Sequence, residues 1–274
     1  MSTTTTEKTT AWTDHYFTVT DGTKLHYVEM GEGTPVILIH GAGGSAVGNW
    51  FRNGIAPALA PTNRVVGIDM RGHALSEAGP EGGRGNMPTD VVEFLDQQRI
   101  DKAHIGGYSM GGGVTASLLA TAPERFITAS FGGSGVRETD EWAEKVPADK
   151  DGTDPEYAAA QGAYNSARAA RGEEVGNGAA GRRARPQLTD EQRAAMRRRA
   201  GPQIDFSKIT FPVIAINGEF DRPLAKTHRL WRELDNFTNV VLPGKGHLSA
   251  VMEGFIPQAY IDAMVQFITF NNPR

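Results

Sequence analysis

Six short, unbroken apolar runs, each closed by turn-forming residues, constrain this chain most. They are Pro35–His40, Arg64–Asp69, Ala103–Tyr108, Phe126–Phe131, Phe211–Asn217 and Asn239–Leu242. A strand with one wet face alternates apolar and polar residues, whereas an unbroken run needs apolar cover on both faces, as in a parallel sheet. Between the runs, Asn49–Ala60, Thr89–Gln98, Met110–Ala122, Leu224–Leu234 and Pro257–Phe270 place apolar residues at three- and four-residue spacing, the pattern of helices with one buried stripe. In the last of these, Ile261, Met264, Val265 and Ile268 form that stripe. Strand and helix in alternation predict an α/β fold with a doubly wound, mostly parallel sheet. Ahead of it, Phe17–Thr20 and Leu25–Met30 flank Asp21-Gly22 and predict an edge hairpin. Ligands of such sheets bind beyond the carboxyl ends of the strands, so functional side chains are sought there.

The rhythm fails over residues 137–208, where alanine and glycine abound, no strand is legible, and nine arginines fall between Arg168 and Arg199. The expected organisation is a threonine-rich tail at 1–13, a core at 14–136 and 209–274, and a helical insertion at 137–208. Within it, 172–186 reads equally well as loose helix or as unstructured loop. At 274 residues the chain has the length of one large domain, or of one domain carrying an insertion. With no cysteine, a disulfide framework, a thiolate zinc site and a cysteine nucleophile are all excluded. A net charge of −4 argues against nucleic acid as a partner. The first residues lack a signal-peptide pattern, and the longest apolar run, Phe211–Ile216, is far shorter than the ~20 residues a membrane helix needs. A soluble, cytoplasmic protein without membrane attachment is therefore expected; oligomeric state leaves no trace in the sequence. The 33 glycines indicate either disorder or many tight turns.

Gly107-Tyr-Ser109-Met-Gly111 follows one apolar run and precedes a helical stretch. Alone the pentapeptide is a weak signal, but strand–turn–helix context is where a sharp turn lifts a serine oxygen clear of a sheet. The helix after it aims N–H groups and its positive end at a developing oxyanion. A serine needs a base. Of seven histidines, His104 falls inside a strand and His228 inside a helix, whereas His247 lies in Pro243-Gly-Lys-Gly-His247, a loop after the last strand. The base needs a carboxylate to orient it. Asp221, in Asn217-Gly-Glu-Phe-Asp221, is the first choice and Glu219 the second. Asp221 has competing uses as a helix cap or as the partner of Arg222. In His40-Gly-Ala-Gly-Gly44 small residues let backbone approach a reacting carbonyl, and the amides of Ala42 and Met110 are assigned as oxyanion donors. A phosphate-binding glycine loop is excluded there, because neither glycine template matches.

Together the elbow at Gly107–Gly111, His40-Gly41, Asp69-Met-Arg-Gly-His73, Gly218–Asp221 and Gly246-His247 resemble the α/β-hydrolase superfamily, over residues ~14–136 and ~205–272. The resemblance implies an eight-stranded, mostly parallel sheet with a helical cap inserted after the sixth strand, at 137–208. It also implies a structural rather than catalytic turn at Asp69–His73. Relatives with serine in the elbow are mostly esterases, lipases, thioesterases, lactonases or peptidases. An aspartate at position 109 would have pointed to haloalkane dehalogenases or epoxide hydrolases. The glycine-rich stretch Glu77–Met87 departs from the family pattern.

The expected activity is hydrolysis of a small or medium-sized carboxylic ester through an acyl-enzyme on Ser109, with no metal or organic cofactor. A C–C bond hydrolase, a thioesterase, a lactonase and a cofactor-free haloperoxidase use the same machinery, and a receptor or scaffold would ordinarily have lost part of it. The insertion's few aromatics, Trp142, Tyr157 and Tyr164, speak against a long lipid chain. Its arginines suit either a solvated helical face or a carboxylate on the substrate.

Overall fold

The structure, a computed structural model, describes residues 12–80, 86–173 and 203–274. Eight strands form one sheet: β1 (Thr13–Thr18), β2 (Lys24–Met30), β3 (Thr34–Ile39), β4 (Asn63–Ile68), β5 (Ala103–Tyr108), β6 (Phe126–Gly132), β7 (Val213–Gly218) and β8 (Phe237–Leu242). Their spatial order is β1-β2-β4-β3-β5-β6-β7-β8. The β1–β2 hairpin joins the sheet antiparallel to β4, and every pair from β4 to β8 is parallel. All six apolar runs are strands, displaced by at most two residues at either end.

The unbroken pattern has the expected cause. Ile37, Ile39, Val66, Ile105 and Ala129 pack into one core with α2 (Met87–Gln97) and α3 (Met110–Thr121). Val36, Leu38, Val65, Ile214 and Ile216 pack into another with α1 (Ile55–Leu59) and the C-terminal helix Gln258–Phe270. Every residue of β5 is buried. Burying a Leu, Ile or Val contributes roughly 1.5–3 kcal/mol, so both faces supply folding energy.

Two expected elements differ, the first being the outer hairpin strand, which runs Thr13–Thr18 rather than Phe17–Thr20. The stretch Asn49–Ala60 is not a single helix: a wide turn at Val47–Phe51 is followed by a break, and α1 starts only at Ile55. Gly54 takes a left-handed φ of 94°. Asn53 turns its amide onto the carbonyls of Asn49 and Val251 (2.5 and 3.0 Å). A buried side chain that competes for backbone partners ends the helix where periodicity alone would continue it.

After β6 the chain leaves the sheet. Residues 137–173 carry one α-helix, α4 (Tyr157–Ala170), preceded by a short 3-10 turn at Ala143–Lys145 and a stretch tied down through polar contacts. Asp149 accepts the backbone N–H groups of Leu224 and Ala225 (2.6 and 3.2 Å) at the start of α5 (Pro223–Glu233). Asp154 accepts from Ser249 Oγ at 2.7 Å, and Lys150 pairs with Glu219 at 2.5 Å. Each contact falls beside a loop at the carboxyl end of the sheet. The N-terminal tail before residue 12, the glycine-rich 81–85, and most of the 172–186 stretch lie outside the described residues. The C-terminal helix Gln258–Phe270, named α6, closes the domain.

His104 is structural, as its place in a strand predicts. Its ring bridges Thr128 Oγ1 (2.8 Å) and Asn272 Oδ1 (2.9 Å), tying β5 to the end of α6. Burial pushes its imidazole down to about 4, and burial likewise lowers His40 to about 4. Both rings are neutral in the fold yet take up protons more readily when unfolded. Stability from these two rings is full above about 6.5, their ordinary value, and is lost as pH falls toward 4. The Tm measured from pH 7 to pH 4 should therefore drop, and His104→Asn should flatten that slope; an unchanged slope in the variant would refute the assignment.

Candidate active site

Three loops at the carboxyl ends of β5, β7 and β8 bring Ser109, Asp221 and His247 together. Ser109 sits between β5 and α3 with φ 53° and ψ −105°, a left-sided conformation rare outside glycine. What holds it there is the crossing of backbone on both sides. A Cβ on Gly107 would lie 2.2 Å from the carbonyl of Gly111, and one on Gly111 would lie 2.1 Å from the carbonyl oxygen of Ile39. The Ser109 N–H donates to the Gly132 carbonyl at 2.8 Å, which pins the turn to the end of β6.

His247 Nε2 lies 2.9 Å from Ser109 Oγ, and its Nδ1 lies 2.8 Å from Asp221 Oδ2. With the proton on Nδ1, the ring donates to Asp221 and accepts from the serine hydroxyl. A hydroxyl on a neutral imidazole that a carboxylate orients can be activated as a nucleophile. Glu219, the second choice, is not part of this chain: it pairs with Lys150 and accepts the Gly244 N–H at 2.9 Å. His228 instead meets Glu138 at 2.6 Å. Neither competing use of Asp221 occurs, since Asp149 caps α5 and the second partner of Asp221 is Lys226.

The loop after β3 forms the facing wall. His40 Nδ1 donates to the Gly41 carbonyl (2.8 Å) while its Nε2 accepts the Met70 N–H (3.0 Å), so the neutral ring braces the loop from beneath. The Gly41 N–H donates to Asn49 Oδ1 at 2.9 Å. From above, Tyr164 of α4 donates to the Ala42 carbonyl (2.8 Å) and Arg171 to the Gly43 carbonyl (2.7 Å). Met110 opens α3, where an N–H has no partner within the helix. The Ala42 N–H donates to no other group among the described residues.

Two cavities share Ser109 and His247 as walls. One, of about 370 Å³, runs beneath α4 and is lined by Tyr157, Tyr164, Arg171, Leu248, Val251 and Met252. The other, of about 430 Å³, lies on the opposite side against Ser134, Arg137 and Lys226. Among the described residues no cluster of three or more His, Cys, Asp or Glu side chains is placed to hold a metal. None of their helices is long and apolar enough to cross a membrane.

Two further side chains touch this arrangement without a sequence signal strong enough to single them out. Tyr108, the residue immediately before the serine, is buried and donates to the His247 carbonyl at 2.5 Å. Burial pushes its phenol well above the ordinary tyrosine value, so it remains a donor. Lys226 contacts Asp221 from α5, where helical periodicity marks it only as an ordinary polar position.

The model of the alpha/beta hydrolase fold family matches residues 34–170, half of the chain. The chain belongs to the α/β-hydrolase fold family. Among curated relatives it is 39% identical over 113 residues to the dihydrolipoyllysine-residue acetyltransferase component of the acetoin cleaving system of Pseudomonas putida, covering 40% of this chain and 30% of that one. It is 37% identical over 92 residues to esterase YbfF of Escherichia coli, covering 34% of this chain and 35% of that one. To 2-hydroxymuconate semialdehyde hydrolase of a Pseudomonas species it is 36% identical over 107 residues, covering 38% and 36%. The chain thus spans about a third of the length of the curated relatives it matches. Among solved structures, the meta-cleavage product hydrolase of Pseudomonas fluorescens superposes with a TM-score of 0.67 at 22% identity, over 92% of this chain and 96% of that chain, a likeness of fold. The eight-stranded, mostly parallel sheet is the architecture of this family, as the sequence resemblance implies.

Proposed function

We propose that this α/β hydrolase cleaves a small or medium-sized carboxylic ester through an acyl-enzyme on Ser109. The observation that carries the reading is the unbroken hydrogen-bonded chain from Ser109 Oγ through His247 to Asp221. In the reaction, His247 takes the hydroxyl proton as Ser109 Oγ attacks the ester carbonyl. The oxyanion is received by the Ala42 and Met110 amides, and Asp221 stabilises the imidazolium. His247 then protonates the departing alcohol, and water, activated by the same ring, releases the acid. Residues 137–208 act as the cap over this chemistry, with α4 as the described part of its roof. Cavities of about 370 and 430 Å³ on either side of the serine suit one modest group each. The serine at position 109 supports an acyl-enzyme over the alkyl-enzyme route of aspartate relatives.

A fluorophosphonate probe should label Ser109, and p-nitrophenyl esters should be turned over with a preference for short acyl chains. A folded protein that is neither labelled nor active on any ester of the panel would overturn this reading.

A second reading, a C–C bond hydrolase, is supported by Arg171 in the wall of the cavity beneath α4 and by the name of the Pseudomonas relative. Arg171 already meets Glu173 (2.8 Å) and the Gly43 carbonyl, so a substrate carboxylate would share it. Under that reading kcat/KM for an acidic ester exceeds that for its neutral analogue at low salt, and Arg171→Met removes the preference. Equal values in the unsubstituted enzyme would dismiss the carboxylate contact; a panel of C–C and ester substrates separates the two reactions, and turnover of esters alone would dismiss the C–C reading.

A further inference from the structure

Asp221 is a shared carboxylate. Its Oδ2 holds His247 Nδ1 at 2.8 Å, and its Oδ1 holds Lys226 Nζ at 2.5 Å. The Lys226 ammonium also donates to the Gly133 carbonyl at 3.1 Å, so it ties Asp221 to the end of β6 beside the serine turn. Three-quarters of the Lys226 side chain is covered, and Asp221 is nearly enclosed. An ion pair held in such a place is poorly screened and acts strongly on its neighbours.

We propose that Lys226 is a positioning residue that sets the pH range over which His247 serves as base, acting through Asp221. The inference rests on the reading of His247 as the base of the site. One negative charge is divided between two cationic partners whenever His247 is protonated. Lys226 therefore opposes the imidazolium. The ring stays an acceptor for the serine proton to lower pH, and once protonated it gives the proton up to the leaving group more readily. Burial pulls the Lys226 ammonium below its ordinary value, while the charge of Asp221 and its hydrogen bond hold it up. The pair thus depends on both members.

The surrounding charges do not substitute for this lysine. Lys245, on the histidine's own loop, is turned onto Glu156 and the Phe255 carbonyl. Asp154 is taken by Ser249, and Tyr108 by the His247 carbonyl. Asp149 and Arg222 face Lys226 with opposite signs. Arg171 and Arg137 stand in the walls of the two separate cavities.

The test is an NMR titration of the His247 imidazole in the full chain, its resonance assigned by its loss in His247→Asn. Lys226→Gln removes the charge and keeps an N–H donor for the Gly133 carbonyl. Its midpoint should rise by about one pH unit, and the acid limb of kcat/KM for a p-nitrophenyl ester should move with it. Lys226→Arg should restore the original midpoint. Should Lys226→Gln not fold, Lys226→Met keeps the packed stem of the side chain and carries the same expectation. A folded, charge-free variant whose His247 titrates at the original midpoint would overturn the proposal. Because the titration needs no substrate, it stays readable even if the ester reading fails, and that failure shows separately as an absence of labelling and turnover.

Discussion

Ser109→Ala should give a folded protein in which ester turnover has fallen by roughly 10⁴–10⁶-fold. The size of the loss comes from the proposed covalent step: without Oγ no acyl-enzyme forms, and only the oxyanion donors and substrate binding remain to assist water. Stability should barely change. The backbone at this position already bears a φ of 53° with a side chain attached, so alanine adds no new conformational cost. The hydroxyl hydrogen bond it removes lies in a partly exposed site. Measured side by side, kcat should collapse while Tm stays within a few degrees. Near-normal turnover in this variant would place the chemistry elsewhere.

Gly111→Ala should be among the most damaging single methyls added in the core of the site. The new Cβ would lie 2.1 Å from the Ile39 carbonyl oxygen and 2.9 Å from that of His40, and backbone cannot move aside as a flexible side chain can. Relief requires displacing either the end of β3, which carries the Ala42 loop, or the serine turn itself. A loss of more than about 3 kcal/mol is expected, seen as a Tm at least ~6–12 °C lower or as failure to accumulate in soluble form. Gly113→Ala is the matched control two residues on, where a Cβ would meet nothing within 4 Å. In a helix interior that change should stabilise by roughly 0.5–1 kcal/mol. Equal Tm values for the two variants would show that the crossing of backbone at Gly111 is not what shapes the turn.

The contrast between these two glycines indicates how far reading the chain can go. Both belong to one run, Gly111–Gly113; which of them faces backbone depends on β3, some seventy residues away in sequence. The same holds for the break in Asn49–Ala60. Its periodicity is helical, but the partner that draws Asn53 away is the carbonyl of Val251, 198 residues distant. Tyr108 was legible only as the spacer in the elbow, because its role comes from the His247 carbonyl across the sheet end. Lys226 left no mark at all.

By itself the sequence determined the features that local pattern can specify. Strands buried on both faces must be apolar without interruption, so the runs of β3 to β7 marked their strands, while the run of β8, at the sheet edge, stays largely exposed. A strand–turn–helix with glycine on either side of a serine admits one tight geometry, so Ser109 was legible. Histidine and aspartate on loops after later strands could be placed at the same sheet edge, because parallel strands end on the same side. Tertiary structure decided what depends on contact between distant segments. It chose Asp221 over Glu219 by drawing the latter to Lys150, set Tyr164 and Arg171 on the carbonyls of Ala42 and Gly43, and gave Asp221 a second cation. Periodicity reports which face of an element is buried; only the packed chain reports which polar atom stands within 3 Å of which other, and the chemistry of this site is made of those distances.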